Sequence, residues 1–234
     1  MFGGGISRGS STLIVGPTGA GKSTLAMQYA YTAAKRGDRA IFYTFDEVLR
    51  TAQERAEALG LAIQPEIDRG KLAIMQINPA ELSPGEFIAQ IREDLKERDT
   101  RIVVIDSLNG FLKAMQGEHD LSLQLRELLA YLDQKGVLTF LTLTQHGLIG
   151  TMHTEIDVSY LADTVVLLRY FEAEGEIRRV ISVLKQRVGA HERTLREFCL
   201  TENGIEVGEP LRHLRGVLTG VPDAVRSDSK QTVV

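Results

Sequence analysis

Leu13-Ile14-Val15-Gly16-Pro17-Thr18-Gly19-Ala20-Gly21-Lys22-Ser23-Thr24 is an apolar run that breaks into a glycine-rich turn and leads into the helical pattern Leu25, Ala26, Met27, Tyr29 and Ala30. Gly16, four intervening residues, Gly21, Lys22 and Ser23 complete the phosphate-loop spacing, in the strand-to-helix context that the motif requires. Small residues let successive backbone N–H groups turn inward around a β-phosphate, and the helix that opens there adds its positive end. Thr18, Gly19, Ala20, Gly21 and Thr24 are read as the cradle, and Lys22 reaches the β- and γ-phosphates. The Ser23 hydroxyl ligates Mg²⁺. A nucleoside triphosphate is the expected ligand.

Outward from this loop, strands and helices alternate. Gly37-Asp38 turns into Ala40–Phe45, whose β-branched and aromatic content predicts a strand ending at Asp46-Glu47. Leu49, Ala52, Ala56 and Leu59 follow at helical spacing, with Gly60 as the stop. Leu72–Ile77 predicts a third strand, and Phe87, Ile88, Ile91 and Leu95 an amphipathic helix. Ile102-Val103-Val104-Ile105 is continuously apolar, as in a parallel strand buried on both faces, and ends at Asp106-Ser107. Leu121, Leu125, Leu128, Leu129 and Leu132 stripe a further helix for core packing. The strand from Val137 to Thr144 closes at Gln145-His146-Gly147.

The last third changes character. Val165–Arg169, Arg178–Leu184, Leu195–Leu200 and Ile205–Val207 are short, roughly alternating runs joined by turns, which predicts hairpins. The expected fold is therefore α/β, a mostly parallel central sheet flanked by helices with a C-terminal antiparallel extension. One domain is expected over 1–222, followed by a disordered polar tail over 223–234.

Bulk properties agree with that reading. The 234 residues suffice for one large core, and 43% hydrophobic with 25% charged is ordinary for a globular domain. No apolar run reaches membrane-spanning length and no secretory signal stands out. The single Cys199 permits no intrachain disulfide, points to a reducing cytoplasm, and is read as a small buried apolar residue. A net charge of −4 argues against nucleic acid as the main partner. The glycine cluster Gly3-Gly4-Gly5 so near the start suggests that other sequence precedes it in the natural protein.

Strand-end carboxylates carry the expected chemistry. Asp106 ends a buried strand, where a carboxylate is costly without a partner, and beside a phosphate loop the partner is Mg²⁺ with its water shell. Asp46 and Glu47 reach the same sheet edge, where one orients or deprotonates the nucleophile and the other caps the following helix. Gln145 stands at the position of a γ-phosphate sensor, though a polar residue at an exposed strand end needs no such role. His146 and His153 have no metal-ligand spacing to a third donor. Lys185 and Arg187 share one strand face by period two, either as a solvated edge or as a phosphate-reaching arm.

Gly16–Thr24, Thr44–Glu47, Ile102–Ser107 and Leu184–His191 together resemble the KaiC family of RecA-superfamily ATPases. The likeness continues through Arg196-Glu197-Phe198, Thr201–Val207 and Gly216–Pro222. The resemblance implies a RecA-like fold in hexameric rings, with ATP and Mg²⁺ between subunits and partner proteins that read the nucleotide state. It places the general base on Asp46 and Glu47, a trans-acting arm on Lys185, Arg187 and His191, and the adenine beside Ala58 and Leu59. KaiC proteins usually carry two such domains, so this chain resembles one half of a tandem protein or a single-domain relative. Asp46 stands where the family commonly has Glu. A misplacement of about 1 Å can cost ~10²-fold, which implies slow turnover. The serine–threonine pair that clock KaiC proteins phosphorylate falls on Ser159-Tyr160, leaving Ser159 and Thr154 as the acceptors of an autokinase alternative. A DNA-binding recombinase or helicase module is a further alternative, opposed by the acidic balance.

Overall fold

The computed structural model describes residues 1–78, 80–96, 99–113, 121–147 and 158–224. Nine strands form one sheet in the order β3-β2-β4-β5-β1-β6-β7-β8-β9. These are β1 Ser11–Gly16, β2 Arg39–Thr44, β3 Leu72–Gln76, β4 Thr100–Asp106, β5 Leu138–Thr144, β6 Thr164–Ala173, β7 Glu176–Gln186, β8 Arg196–Thr201 and β9 Gly204–Pro210. The strands from β3 through β6 pair in parallel, whereas β6, β7, β8 and β9 pair antiparallel. The expected parallel sheet with an antiparallel extension is the observed one.

Helices cover both faces, and the alternation of the central strands decides which side chain faces which layer. Leu13, Val15, Tyr43, Val103, Ile105 and Leu141 point to the layer built by α4 (Pro84–Lys96), α5 (Leu108–Lys113) and α6 (Leu121–Gln134). Ile14, Phe42, Val104, Phe140 and Val166 point to the layer built by α1 (Lys22–Lys35), α2 (Leu49–Ala58) and α3 (Gln64–Asp68). In α6, Leu125, Leu128, Leu129 and Leu132 are buried, so that stripe is core. Alanines at 26, 30, 33 and 34 let α1 lie close on the sheet. Sequence periodicity did not reveal α3 or α5, each about one turn and a half long and too short to show a period.

Two expectations change at the C-terminal end. Cys199 is exposed rather than buried. Its neighbour Phe198 takes the inward position at 2% exposure, and on a strand the next side chain must point the other way. Asp223-Ala224, assigned by sequence to the tail, pair antiparallel with Leu214-Arg215. Residues 225–234, like Thr154 and His153, lie outside the described residues.

The parallel register fixes where chemistry is possible. Thr44 pairs with Asp106, and Gly16 with Thr144, so β2 and β4 end together while β1 and β5 end together two residues further along, all at the same edge. Ligands of open α/β sheets bind at this carboxyl edge.

Candidate active site

The phosphate loop spans from the end of β1 to the start of α1. Gly19 and Gly21 take φ of +77° and +102°, conformations that side-chain-bearing residues rarely adopt. Gly16 is also constrained, because a Cβ there would come within 2.4 Å of the Leu168 carbonyl oxygen. Helix α1 opens at Gly21 with no side-chain cap, which leaves its first N–H groups directed at the loop. Lys22 is buried, and its Nζ donates to the Pro17 carbonyl at 2.8 Å. Burial lowers its pKa to about 8, against the opposing pull of Asp106 and Asp46.

Asp106 is buried at 6% exposure and accepts hydrogen bonds on one oxygen from Ser23 Oγ at 2.9 Å and Thr142 Oγ1 at 2.5 Å. Burial raises its pKa, and these two hydroxyls oppose the shift. A hydroxyl and a carboxylate in contact beside the loop are hard oxygen donors, the type Mg²⁺ takes. The donor set fits a magnesium ion held by Ser23 and Asp106. The Asp106–Ser107 peptide is cis.

The acidic pair divides. Asp46 is exposed to the cleft, and Ser107 Oγ donates to its Oδ2. Glu47 is instead drawn back into a forked ion pair with Arg55. Phe45, packed edge-on against Phe87 and Phe111 at 5.1 and 6.1 Å between centroids, anchors the turn beneath Asp46. A Cβ on Gly110 would come within 2.5 Å of the Phe45 Cβ, so glycine there allows α5 to approach. The capping expected of one acidic residue is absent. Val48 is the residue before α2, no side chain caps that helix, and the Thr44 hydroxyl accepts the Glu47 N–H at 3.3 Å.

Lys22, Ser23, Asp46, Glu47, Arg55, Asp106 and Ser107 line one cleft of about 770 Å³ with Thr18, Asn109, Thr144, Gln145, His146 and Leu200. Asn109 bonds both backbone groups of Thr144, at 3.3 and 2.7 Å, and so braces the β5 end. The Gln145 side-chain oxygen is buried and has no hydrogen-bond partner among the described residues. Ala20, tucked fully into the core at 0% exposure, supports the loop without facing the cleft.

Other sequence-derived site residues are not brought here. Ala58 is exposed at the end of α2, and Leu59 packs on the core layer beside α1, so neither lines the cleft. Lys185, Arg187 and His191 also lie away from it. Lys185 Nζ donates to the Ala162 and Ser159 carbonyls at 2.6 and 3.1 Å, and Arg187 pairs with Asp163 at 3.3 Å. Lys185 lies on β7 and Arg187 just past its end at Gln186, so they do not share a strand face by period two, but both side chains reach residues 159–163. Sequence reasoning missed Arg55, Thr142, Asn109 and Leu200. Only Arg55 carried a signal, as the last-turn cation of the helix that starts beside Glu47.

A family model described as "ATPase: KaiC" matches residues 1–212. The chain is 28% identical over 232 residues to a circadian clock oscillator protein KaiC of Acaryochloris marina, an alignment covering 99% of this chain and 44% of that protein. It is likewise 28% identical to the protein of the same name in Thermostichus vulcanus, covering 98% and 44%. Identity is 27% to the circadian clock protein KaiC3 of a Synechocystis species, covering 95% and 44%. The chain thus spans less than half the length of these curated relatives.

Proposed function

The chain belongs to the KaiC family of ATPases, and on that premise we propose that it binds ATP with Mg²⁺ in the cleft and hydrolyses it slowly. The working form is a hexameric ring in which a neighbouring subunit completes each site, and the nucleotide state is displayed to partner proteins. The observation that carries this reading is the convergence of Lys22, Ser23, Asp106 and Asp46 on one cleft at the carboxyl edge of the sheet.

Backbone N–H groups of the loop and Lys22 hold the phosphates, and Ser23 with Asp106 would hold Mg²⁺. When bound, that ion neutralises charge on the β- and γ-phosphate oxygens. Asp46 takes a proton from water as the water oxygen attacks the γ-phosphorus. The bond to the bridging oxygen breaks, leaving ADP and orthophosphate. Gln145 lines the cleft, where its side-chain NH2 can donate to a γ-phosphate oxygen and its carbonyl oxygen, unpartnered among the described residues, can accept from the attacking water. Lys185, Arg187 and His191 act from the neighbour, and Ala58 and Leu59 lie toward the base only if the assembled ring brings the adenine to the α2 end.

Incubation with Mg-ATP, reading released phosphate alongside native mass, tests the proposal. Turnover unchanged by Lys22→Ala overturns it. One observation favours autokinase activity as a second reading: the Ser159 carbonyl accepts from Lys185, which puts a hydroxyl on the arm. A gain of one phosphate in intact mass, lost in Ser159→Ala, distinguishes that reaction.

A further inference from the structure

Arg55 lies in the last turn of α2, and its guanidinium grips the Glu47 carboxylate with two nitrogens. Nη2 stands 2.5 Å from Oε2 and Nε 3.2 Å from Oε1. A third nitrogen, Nη1, donates to Thr24 Oγ1 in the phosphate loop at 3.3 Å. The side chains of Arg55 and Glu47 are 25% and 23% exposed, which removes much of the screening that makes surface pairs weak. A forked pair fixes the orientation of a carboxylate as well as its charge. Arg55, Glu47 and Thr24 all line the cleft, where Lys22 is the only other Lys or Arg among the described lining residues. The helix does not need this pair to dock, since Ala52 and Ala56 are already buried beneath it.

We propose that Arg55 is a positioning residue for hydrolysis, a role that rests on the ATPase reading above. It ties Glu47 to the phosphate loop in one orientation, and so leaves Asp46, held by Ser107 and open to the cleft, as the carboxylate that meets the attacking water. The two acidic neighbours are sorted by their partners, a guanidinium for one and a hydroxyl for the other. Without the fork, Glu47 is free to swing toward the water and phosphates and compete with Asp46.

Arg55→Lys keeps the charge and loses the fork, so it isolates positioning from neutralisation. Its kcat for Mg-ATP should fall about tenfold, with KM within about threefold of wild type. Arg55→Ala should fall further. Glu47→Ala combined with Arg55→Ala should turn over no more slowly than Glu47→Ala alone, because Arg55 acts through Glu47. The nitrogen–proton spectrum of the arginine side chains supplies a readout independent of turnover. The Arg55 Nε–H signal should be protected from exchange in wild type and lose protection in Glu47→Ala. Melting curves exclude unfolding as the cause of any loss.

Wild-type kcat in Arg55→Lys, additive losses in the double variant, or an unprotected Nε–H each overturns the proposal. A wild-type protein that shows the protected signal but releases no phosphate overturns the ATPase reading instead, and the catalytic role of Arg55 with it.

Discussion

The two edges of the central sheet present opposite situations. At the carboxyl edge, β2, β4 and β5 deliver Asp46, Asp106 and Thr144 into one cleft beside the loop that follows β1, where Ser107 donates to Asp46 and Ser23 to Asp106. At the other edge, β7 runs antiparallel to β6 and carries Lys185 and Arg187 to the level where β1 begins, since the Arg187 N–H bonds the Asp163 carbonyl and Asp163 meets Ser11. Five residues of β1 separate that level from Gly16, roughly 16 Å along the strand. The arm therefore points away from the cleft of its own chain. On the proposed reading, a cation that serves an ATP site from this edge serves a neighbour's, and an interface joining one edge to the opposite edge of the next subunit is head-to-tail, which closes into a ring where the rotation between subunits closes.

The sharpest way to break this comparison is at the carboxyl edge. Asp46→Asn removes the proposed base and should lower kcat about 10²–10⁴-fold while nucleotide affinity persists, measured by phosphate release and by titration with a fluorescent ATP analogue. Lys22→Ala should cost about 10²–10³-fold and weaken binding as well. Arg187→Ala acts at the opposite edge, so its defect should be complemented. When it is mixed and reassembled with Lys22→Ala, roughly a quarter of interfaces pair an intact loop with an intact arm, and phosphate release should return to about that fraction of wild type. Mixing that restores nothing would show that the two edges do not meet.

A smaller effect comes from pH. Lys22 has its pKa lowered to about 8 by burial, so below that value it is an ammonium that attracts phosphate and above it a neutral amine. Bound phosphate favours the charged form, hence ATP affinity should weaken as pH rises from 7 to 9, and a binding titration at both values reads it. Affinity that rises over this range would contradict the placement of Lys22. The smallest change concerns packing. Gly110→Ala should push against Phe45 and lower stability by about 1–3 kcal/mol, read by thermal melting, with a loss of turnover as Asp46 shifts.

The two edges also differ in how much of them the sequence disclosed. Glycine spacing, strand-end carboxylates and continuous apolar runs marked the carboxyl edge because each is a local pattern with a direct physical cause. The partners that complete it were hidden by context. Thr142 lies inside an apolar run and reads as strand. Arg55 sits among Arg50, Glu54 and Glu57 on a helix whose charges look like a solvated face. Ser107 and Asn109 matter through contacts across the sheet, 61 and 35 residues away in sequence. At the other edge the strand and its basic residues were legible, whereas their contacts to residues 159–163 depend on how β6 and β7 pair. Cys199 was misread for lack of one fact, the direction of Phe198.

That cysteine is also an experimental convenience. It is the only thiol in the chain, it faces solvent, and its neighbour Leu200 lines the cleft. A maleimide dye can therefore be attached at one defined position without removing or adding any residue. Reported from there, the arrival and departure of nucleotide become an optical signal from the unaltered polypeptide, suited to stopped-flow timing or to single assemblies watched one at a time.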